Sequence, residues 1–231
     1  MENGFTPLAE GIWELDRPEK IGVVQFNHRM IVVRLPSGGL WVHSPVHLDA
    51  EILTALADLG EVEHLIAPST FHDRHWPEYF AAYPEAHFHC APGVKEEHPE
   101  LPFNEILTDS PPDAWDGEID QILVAGMPKV NEFVFLHKSS RTLVVADLLF
   151  NLGRDLSLVS GILFWLFGTY GRIAVSRFFK SFIKDRTAMR QSIDQLLSWE
   201  FDRIAVGHGE IIADDARGSL ERAYSFLSSE G

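Results

Sequence analysis

Phe201-Asp-Arg-Ile-Ala-Val-Gly-His-Gly-Glu210 begins as an apolar strand led by an aspartate and ends in a histidine held between two glycines. Glycine on both sides lets the backbone bend sharply and approach other groups closely, which a strand interior does not require. Such a turn places the His208 imidazole at the carboxyl end of a strand, where open α/β sheets carry their chemistry. Upstream, Arg141-Thr-Leu-Val-Val-Ala-Asp-Leu-Leu-Phe150 closes another apolar strand at Asp147. A histidine and an aspartate at two strand ends suggest a metal or acid–base site. A strand-end histidine and a helix-capping aspartate would leave the same trace, so the rest of the chain has to weigh between them.

Working outward, strands and helices alternate in both halves. Gly22–Phe26, Met30–Leu35 and Leu40–His43 read as an opening β-meander, with Pro-Ser-Gly-Gly at 36–39 as one turn. Asp49 can cap a helix running to about Leu59, with Ile52, Leu53, Leu56 and Leu59 on one face and Gly60 as its stop. His64–Ala67 is a short strand, residues 69–75 a loop, Trp76–Tyr83 a helix with Pro77 in its first turn, and Ala86–Cys90 the next strand. Residues 91–116 hold five prolines and read as irregular connection. A second set follows: strands at Ile119–Val124, Glu132–His137 and Thr142–Ala146, a helix at Asp185–Trp199, the strand Arg203–Val206, and a closing helix at Asp215–Leu227. This order favours two sheets with helices outside, in one domain spanning 1–231.

Composition bounds the partners. The formal net charge of −15 argues against nonspecific nucleic-acid binding, which depends on basic surface. Cys90 is the single cysteine, which excludes an intrachain disulfide and a cysteine-rich metal site. The amino-terminal residues lack the basic and apolar regions of a secretory signal, so a cytoplasmic location is expected. There is no Gly-x-Ser-x-Gly elbow and no phosphate-binding glycine-rich loop.

The strand-end residues, in order, are His43-Ser44, then Ser69-Thr-Phe-His-Asp-Arg-His75, then Asp147, then His208. Their order and spacing resemble the metallo-β-lactamase superfamily, and Trp41–Val46, Ala146–Asn151 and Trp199–Glu210 are similar to a bacterial branch of it. The resemblance spans nearly the whole chain. It implies a four-layer αββα sandwich of metal-dependent hydrolases, with the site at the strand-end edge between the sheets. Family members carry His-x-His-x-Asp-His in the first loop. Counted without gaps, Ser69, Phe71, Asp73 and Arg74 hold those positions; shifted by one, Thr70, His72, Arg74 and His75 do. The next family ligand is a histidine in a Gly-His turn, where this chain has Gly126-Met127. A thioether is a poor zinc ligand.

What the resemblance implies is therefore one metal rather than two. Zinc or iron would be held by Asp147, His208 and one or both of His72 and His75, with Asp73 and His208 as the candidate catalytic residues. His43, Ser44, Arg74 and Met127 are candidates for the surroundings of metal or substrate. The reaction would be hydrolysis of an ester, thioester, lactone or phosphodiester bond in a small molecule. The competing reading is a degenerate, metal-free relative whose Arg74, His72, His75 and His208 bind an anionic ligand or a protein partner. His87 and His89 are expected to face solvent or a helix, and His28, His64, His98 and His137 to lie on the surface.

Between Asp147 and His208 lies an expected helical insertion, at about 152–190. Leu156–Gly168 is strongly apolar, yet thirteen residues fall short of the ~20 needed to span a bilayer. Residues 172–190 follow with six cations against Asp185, and their interleaved apolar residues suggest a basic amphipathic helix. Three roles are open for the insertion: buried helix or homodimer contact, wall of a cleft attracting anionic substrates, or attachment to an anionic membrane surface.

Overall fold

A strand that is apolar on both faces needs a packed layer on each side, and the central strands of this chain are of that kind. A computed structural model describes residues 4–228. Its strands are β1 (Thr6–Ala9), β2 (Ile12–Ile21), β3 (Val24–Arg34), β4 (Leu40–His43), β5 (Val62–Ala67), β6 (His87–Cys90) and β7 (Glu105–Ile106), then β8 (Ile119–Leu123), β9 (Phe133–His137), β10 (Thr142–Val145), β11 (Phe150–Leu152), β12 (Arg172–Ala174) and β13 (Arg203–Val206). The helices are α1 (Ala50–Leu59), α2 (Trp76–Ala82), α3 (Val94–Glu97), α4 (Leu158–Phe167), α5 (Arg177–Lys180), α6 (Arg186–Ser198) and α7 (Ala216–Tyr224).

Strands β1 to β7 form one sheet in sequence order, and a second sheet runs β13-β10-β9-β8. Alternation along β9 explains their stacking. Phe133 and Phe135 join the core shared with the first sheet, where the Phe135 ring meets Trp41 at 5.0 Å. Val134 and Leu136 face the other way, into a second core with Ile193 and Leu196 of α6 and Leu220 of α7. On the first sheet, Ile52, Ala55 and Leu56 of α1 and Trp76 and Tyr79 of α2 are buried. The result is two sheets face to face with helices outside, as the sequence predicts.

α1 follows its sequence signals: Asp49 accepts from the Ile52 amide at 2.8 Å, and the Gly60 amide closes on the Leu56 carbonyl at 2.9 Å. Leu53 departs from the expected face and is exposed.

Three expectations need correction. The stretches 22–26 and 30–35 belong largely to one long strand, β3, paired with an unforeseen β2 in the register Ile21↔Val24 to Ile12↔Val33. Charges at Glu14, Asp16, Arg17, Glu19 and Lys20 hid β2, and buried His28 and Arg29 broke the apolar signal of β3. Residues 172–190 do not form one amphipathic helix. They comprise β12, paired antiparallel with β11, then α5, then the start of α6, because Ser176 and Asp185 cap new helices. His28, His64 and His137 are buried rather than on the surface, as is His89, while His87 is exposed.

No helix of the described residues is long and apolar enough to cross a membrane.

Candidate metal centre

The two sheets are latched together beside β13. The Arg29 amide donates to the Gly207 carbonyl at 2.9 Å, and the Arg29 guanidinium donates to the Val206 carbonyl at 2.7 Å. That buried cation is balanced by Glu14 in direct contact and by Asp16 at 3.6 Å. Two residues along, the Asn27 carbonyl accepts from His208 Nδ1 at 2.6 Å, and its side-chain oxygen accepts from the Gly209 amide at 2.9 Å. Both glycines around His208 are required by close approach. A Cβ on Gly207 would lie 2.7 Å from the Ala146 carbonyl oxygen, and one on Gly209 would lie 2.1 Å from that of Asn151.

Asp147 follows β10 and is fixed from beneath by Glu132, a fully buried carboxyl. Glu132 accepts from the Ala146 amide at 2.8 Å and the Asp147 amide at 3.0 Å. Burial, with the neighbouring Asp147 charge, pushes Glu132 up to about 8 against the pull of those amides. Burial would raise Asp147 too, but the facing His72 and His208 rings, which in their protonated form attract the anion and donate to it, hold its carboxyl below the usual carboxylate range.

His72 comes from the loop after β5. Its Nδ1 contacts Ser44 Oγ closely, and Ser44 Oγ also lies 2.7 Å from His28 Nε2. Ser44 adopts a left-handed φ of 55° at the end of β4, its amide tied to the Ile66 carbonyl at 3.0 Å. Burial, then the neighbouring His72 and His208, lowers His28 well below the ordinary histidine value, so it serves as a neutral partner to Ser44.

These elements converge His72, Asp147 and His208, whose donor atoms lie within 4.8 Å of one another. Each imidazole Nε2 sits 3.4 Å from a carboxylate oxygen of Asp147. A carbonyl only accepts, so His208 Nδ1 carries the proton given to Asn27, and in the neutral ring Nε2 presents a lone pair to the carboxylate. Two acceptors facing each other call for a proton or a cation between them. Donors ~2.0–2.2 Å from a tetrahedral metal are about 3.4 Å apart, so the spacing fits an ion. Nδ1 hydrogen bonds that orient Nε2 are the usual outer support of such ligands.

The other sequence candidates go elsewhere. Asp73 pairs with His98 Nε2 at 2.8 Å and His75 pairs with Glu19 at 2.9 Å, and neither lines the cavity above the three donors. Arg74 does line it, 3.5 Å from Glu19. His43 is buried against Trp41 with neither ring nitrogen hydrogen-bonded. Met127 is packed in the second core and does not line the cavity. Neither counted register of the first loop describes the result, because His72 alone of that motif meets Asp147 and His208. Sequence reasoning missed Asn27, His28 and Glu132, whose roles depend on contacts across 181, 16 and 15 positions of chain.

The cavity above the donors measures about 380 Å³, with a mainly apolar wall that includes Phe26, Phe71, Phe150, Phe164 and Phe179. The insertion thus covers the site, through α4 and α5.

A family profile described as a domain of unknown function (DUF4336) matches residues 9–161. The chain belongs to this DUF4336 family. No curated protein matches it. Among solved structures, the DIM-1 metallo-β-lactamase is similar over 97% of both chains, with a TM-score of 0.68 at 13% identity. The metallo-β-lactamase from Pontibacter korlensis matches over 98% of this chain and 99% of its own, with a TM-score of 0.66 at 11% identity. A fragment from Nostoc sp. PCC 7120, described as a putative diflavin flavoprotein A 5, matches over 97% of this chain and 96% of its own, with a TM-score of 0.70 at 10% identity. This DUF4336 chain therefore has the metallo-β-lactamase fold.

Proposed function

We propose that the chain is a single-metal hydrolase, with one zinc or iron ion held by His72, Asp147 and His208. The observation that carries the reading is the pair of imidazole Nε2 atoms aimed at one buried carboxylate at the base of a cavity. Two imidazoles and a carboxylate suit zinc or iron, and three protein ligands are the number that leaves a position open for chemistry. A dication there would lower the pKa of a coordinated water to about 7 and polarise the oxygen of an ester, thioester, lactone or phosphodiester. The chain's own contributions are positional. Asn27 keeps the His208 proton on Nδ1, Ser44 and His28 orient His72, and Glu132 sets the turn that aims Asp147. The apolar wall excludes water around the substrate.

A metal-free anion pocket has less behind it, because Arg74 is already paired with Glu19 and the wall is apolar. Elemental analysis of protein purified without chelator tests the choice. One zinc or iron per chain, absent from His208→Ala, is expected. A wild-type protein that stays metal-free after incubation with zinc or ferrous iron would overturn the proposal.

A further inference from the structure

Exposed large apolar side chains are concentrated at one place on this molecule. Apart from Leu53 and Ile106, all those identified among the described residues lie on α4, on the rim of the cavity or at the β2–β3 tip beside it. On α4, Leu163, Phe164 and Phe167 point into the cavity, while Leu158, Ile162, Trp165 and Leu166 are 80%, 54%, 66% and 51% exposed. Ile21 and Val23 at the β2–β3 tip are 56% and 70% exposed, and Ile21 also lines the cavity. The helix is not a loose segment: the Gln25 amide on β3 donates to buried Ser160 at 2.8 Å, and Ser157 caps its start. A helix apolar all round and fixed in place, with one face open, has a surface made for something other than water.

The surrounding charge selects the occupant. Residues 157–184 contain Arg172, Arg177, Lys180 and Lys184 and no carboxylate, in a chain with 34 acidic residues. Arg172 and Arg177 donate to the Gly168 and Leu166 carbonyls at 2.7 and 3.1 Å, and Lys180 lies over the Phe226 ring at 3.9 Å. Among the described residues, none of these three cations is ion-paired with a carboxylate. Apolar and tryptophan side chains flanked by uncompensated cations are the signature of an interfacial helix on anionic lipid.

We propose that α4 and the β2–β3 tip seat this chain on an anionic bilayer, with the cavity mouth facing the lipid. The apolar wall then receives a hydrocarbon chain from the membrane and brings its polar linkage to His72, Asp147 and His208. The choice of linkage rests on the hydrolase reading; the docking does not.

Flotation of the full chain with phosphatidylcholine vesicles, with and without phosphatidylserine, tests this. Wild type should float with the anionic vesicles and be released by high salt. Trp165→Glu with Ile162→Glu should abolish flotation without altering the urea unfolding midpoint. Arg172→Gln with Arg177→Gln, which keeps hydrogen-bond donors at both positions, should weaken partitioning about thirtyfold through the loss of two surface cations. His208→Ala should float like wild type, so a failed metal assignment and a failed docking assignment give different results. Folded wild type that does not float with phosphatidylserine vesicles would overturn the proposal. So would a dimer, by light scattering, that the Trp165 and Ile162 substitutions dissociate, since a second copy would then cover this face.

Discussion

Acid should destabilise this protein through His89, by an amount the structure sets. His89 on β6 is 2% exposed. It faces His64 of β5, whose Nδ1 lies 3.1 Å from its Nε2, and the Trp115 ring at 4.9 Å. Its other nitrogen is 3.5 Å from Glu105 of β7, too far for a good hydrogen bond, and that carboxylate is 58% exposed. Burial first, then the neighbouring His64 and His87, pushes the ring down to about 3 from 6.5. The folded value lies below the unfolded one. Stability gained from holding the ring neutral is therefore complete above about pH 6.5 and is lost as pH falls toward 3.

At pH 5 the unfolded ring is protonated about thirty to one and the folded ring is almost wholly neutral, a difference of about 2 kcal/mol. Many groups titrate between pH 7.5 and 5, so the informative comparison is with His89→Gln, which removes this titration and keeps a hydrogen-bonding side chain facing His64. Urea unfolding followed by tryptophan fluorescence at both pH values should show wild type losing about 2 kcal/mol more than the variant. A difference under about 0.5 kcal/mol would refute the reasoning, because the folded ring would then be taking up its proton, with Glu105 as the nearest carboxylate to stabilise it.

Glu132→Ala should cost about 2–5 kcal/mol in urea unfolding, since two buried amides lose their acceptor. It should also weaken zinc binding, measured by calorimetry, because the Asp147 turn is released. Ser44→Ala should reduce zinc affinity about 10–100-fold, as expected for loss of a group that orients a ligand, and cost about 1–3 kcal/mol in urea unfolding because His28 and His72 lose a buried partner. Asp49→Ala should cost about 1 kcal/mol in the same unfolding assay through the lost α1 cap. Zinc titration should saturate at one tightly held ion per chain, and two such ions would contradict the assigned donor set.

Features written in local chemistry were legible in the sequence. The Asp49 cap, the Gly60 stop, the strand ends at Asp147 and His208, and the layered order of elements each depend on neighbours a few residues apart. What was not legible depends on contacts across the fold. β2 carries its charges on an edge region of the sheet, and β3 hides Arg29 behind carboxylates from another strand, so neither has the apolar period of a buried strand. The first loop is the sharpest case. Whether His72, Asp73 or His75 reaches the donors depends on one residue of loop register, and the left-handed backbone at His75 is one of the features that turns these neighbours apart.

The positions that depart from the two-metal pattern are all engaged in other work. Phe71, at a ligand position in the ungapped count, packs against Phe179 and Phe182 of the insertion at 5.2 and 5.5 Å. Asp73 holds His98, and His75 holds Glu19. The Gly126-Met127 turn has become a seat for the insertion. The Lys184 amide donates to the Gly126 carbonyl at 2.8 Å, and a Cβ at Gly126 would lie 2.3 Å from the Asp185 carbonyl oxygen, so the fit there excludes a side chain. A second ion and this insertion would compete for the same loops. With one carboxylate and two neutral imidazoles, a single dication leaves one net positive charge, which an anionic nucleophile or substrate group can neutralise inside an apolar wall. Two dications on the same donors would leave three, and Glu19, the one other carboxylate in the lining, is already paired with His75 and Arg74. Phe71 and the Gly126-Met127 turn, at positions where the two-metal pattern has ligands, thus pack instead against the insertion that walls the phenylalanine-lined cavity.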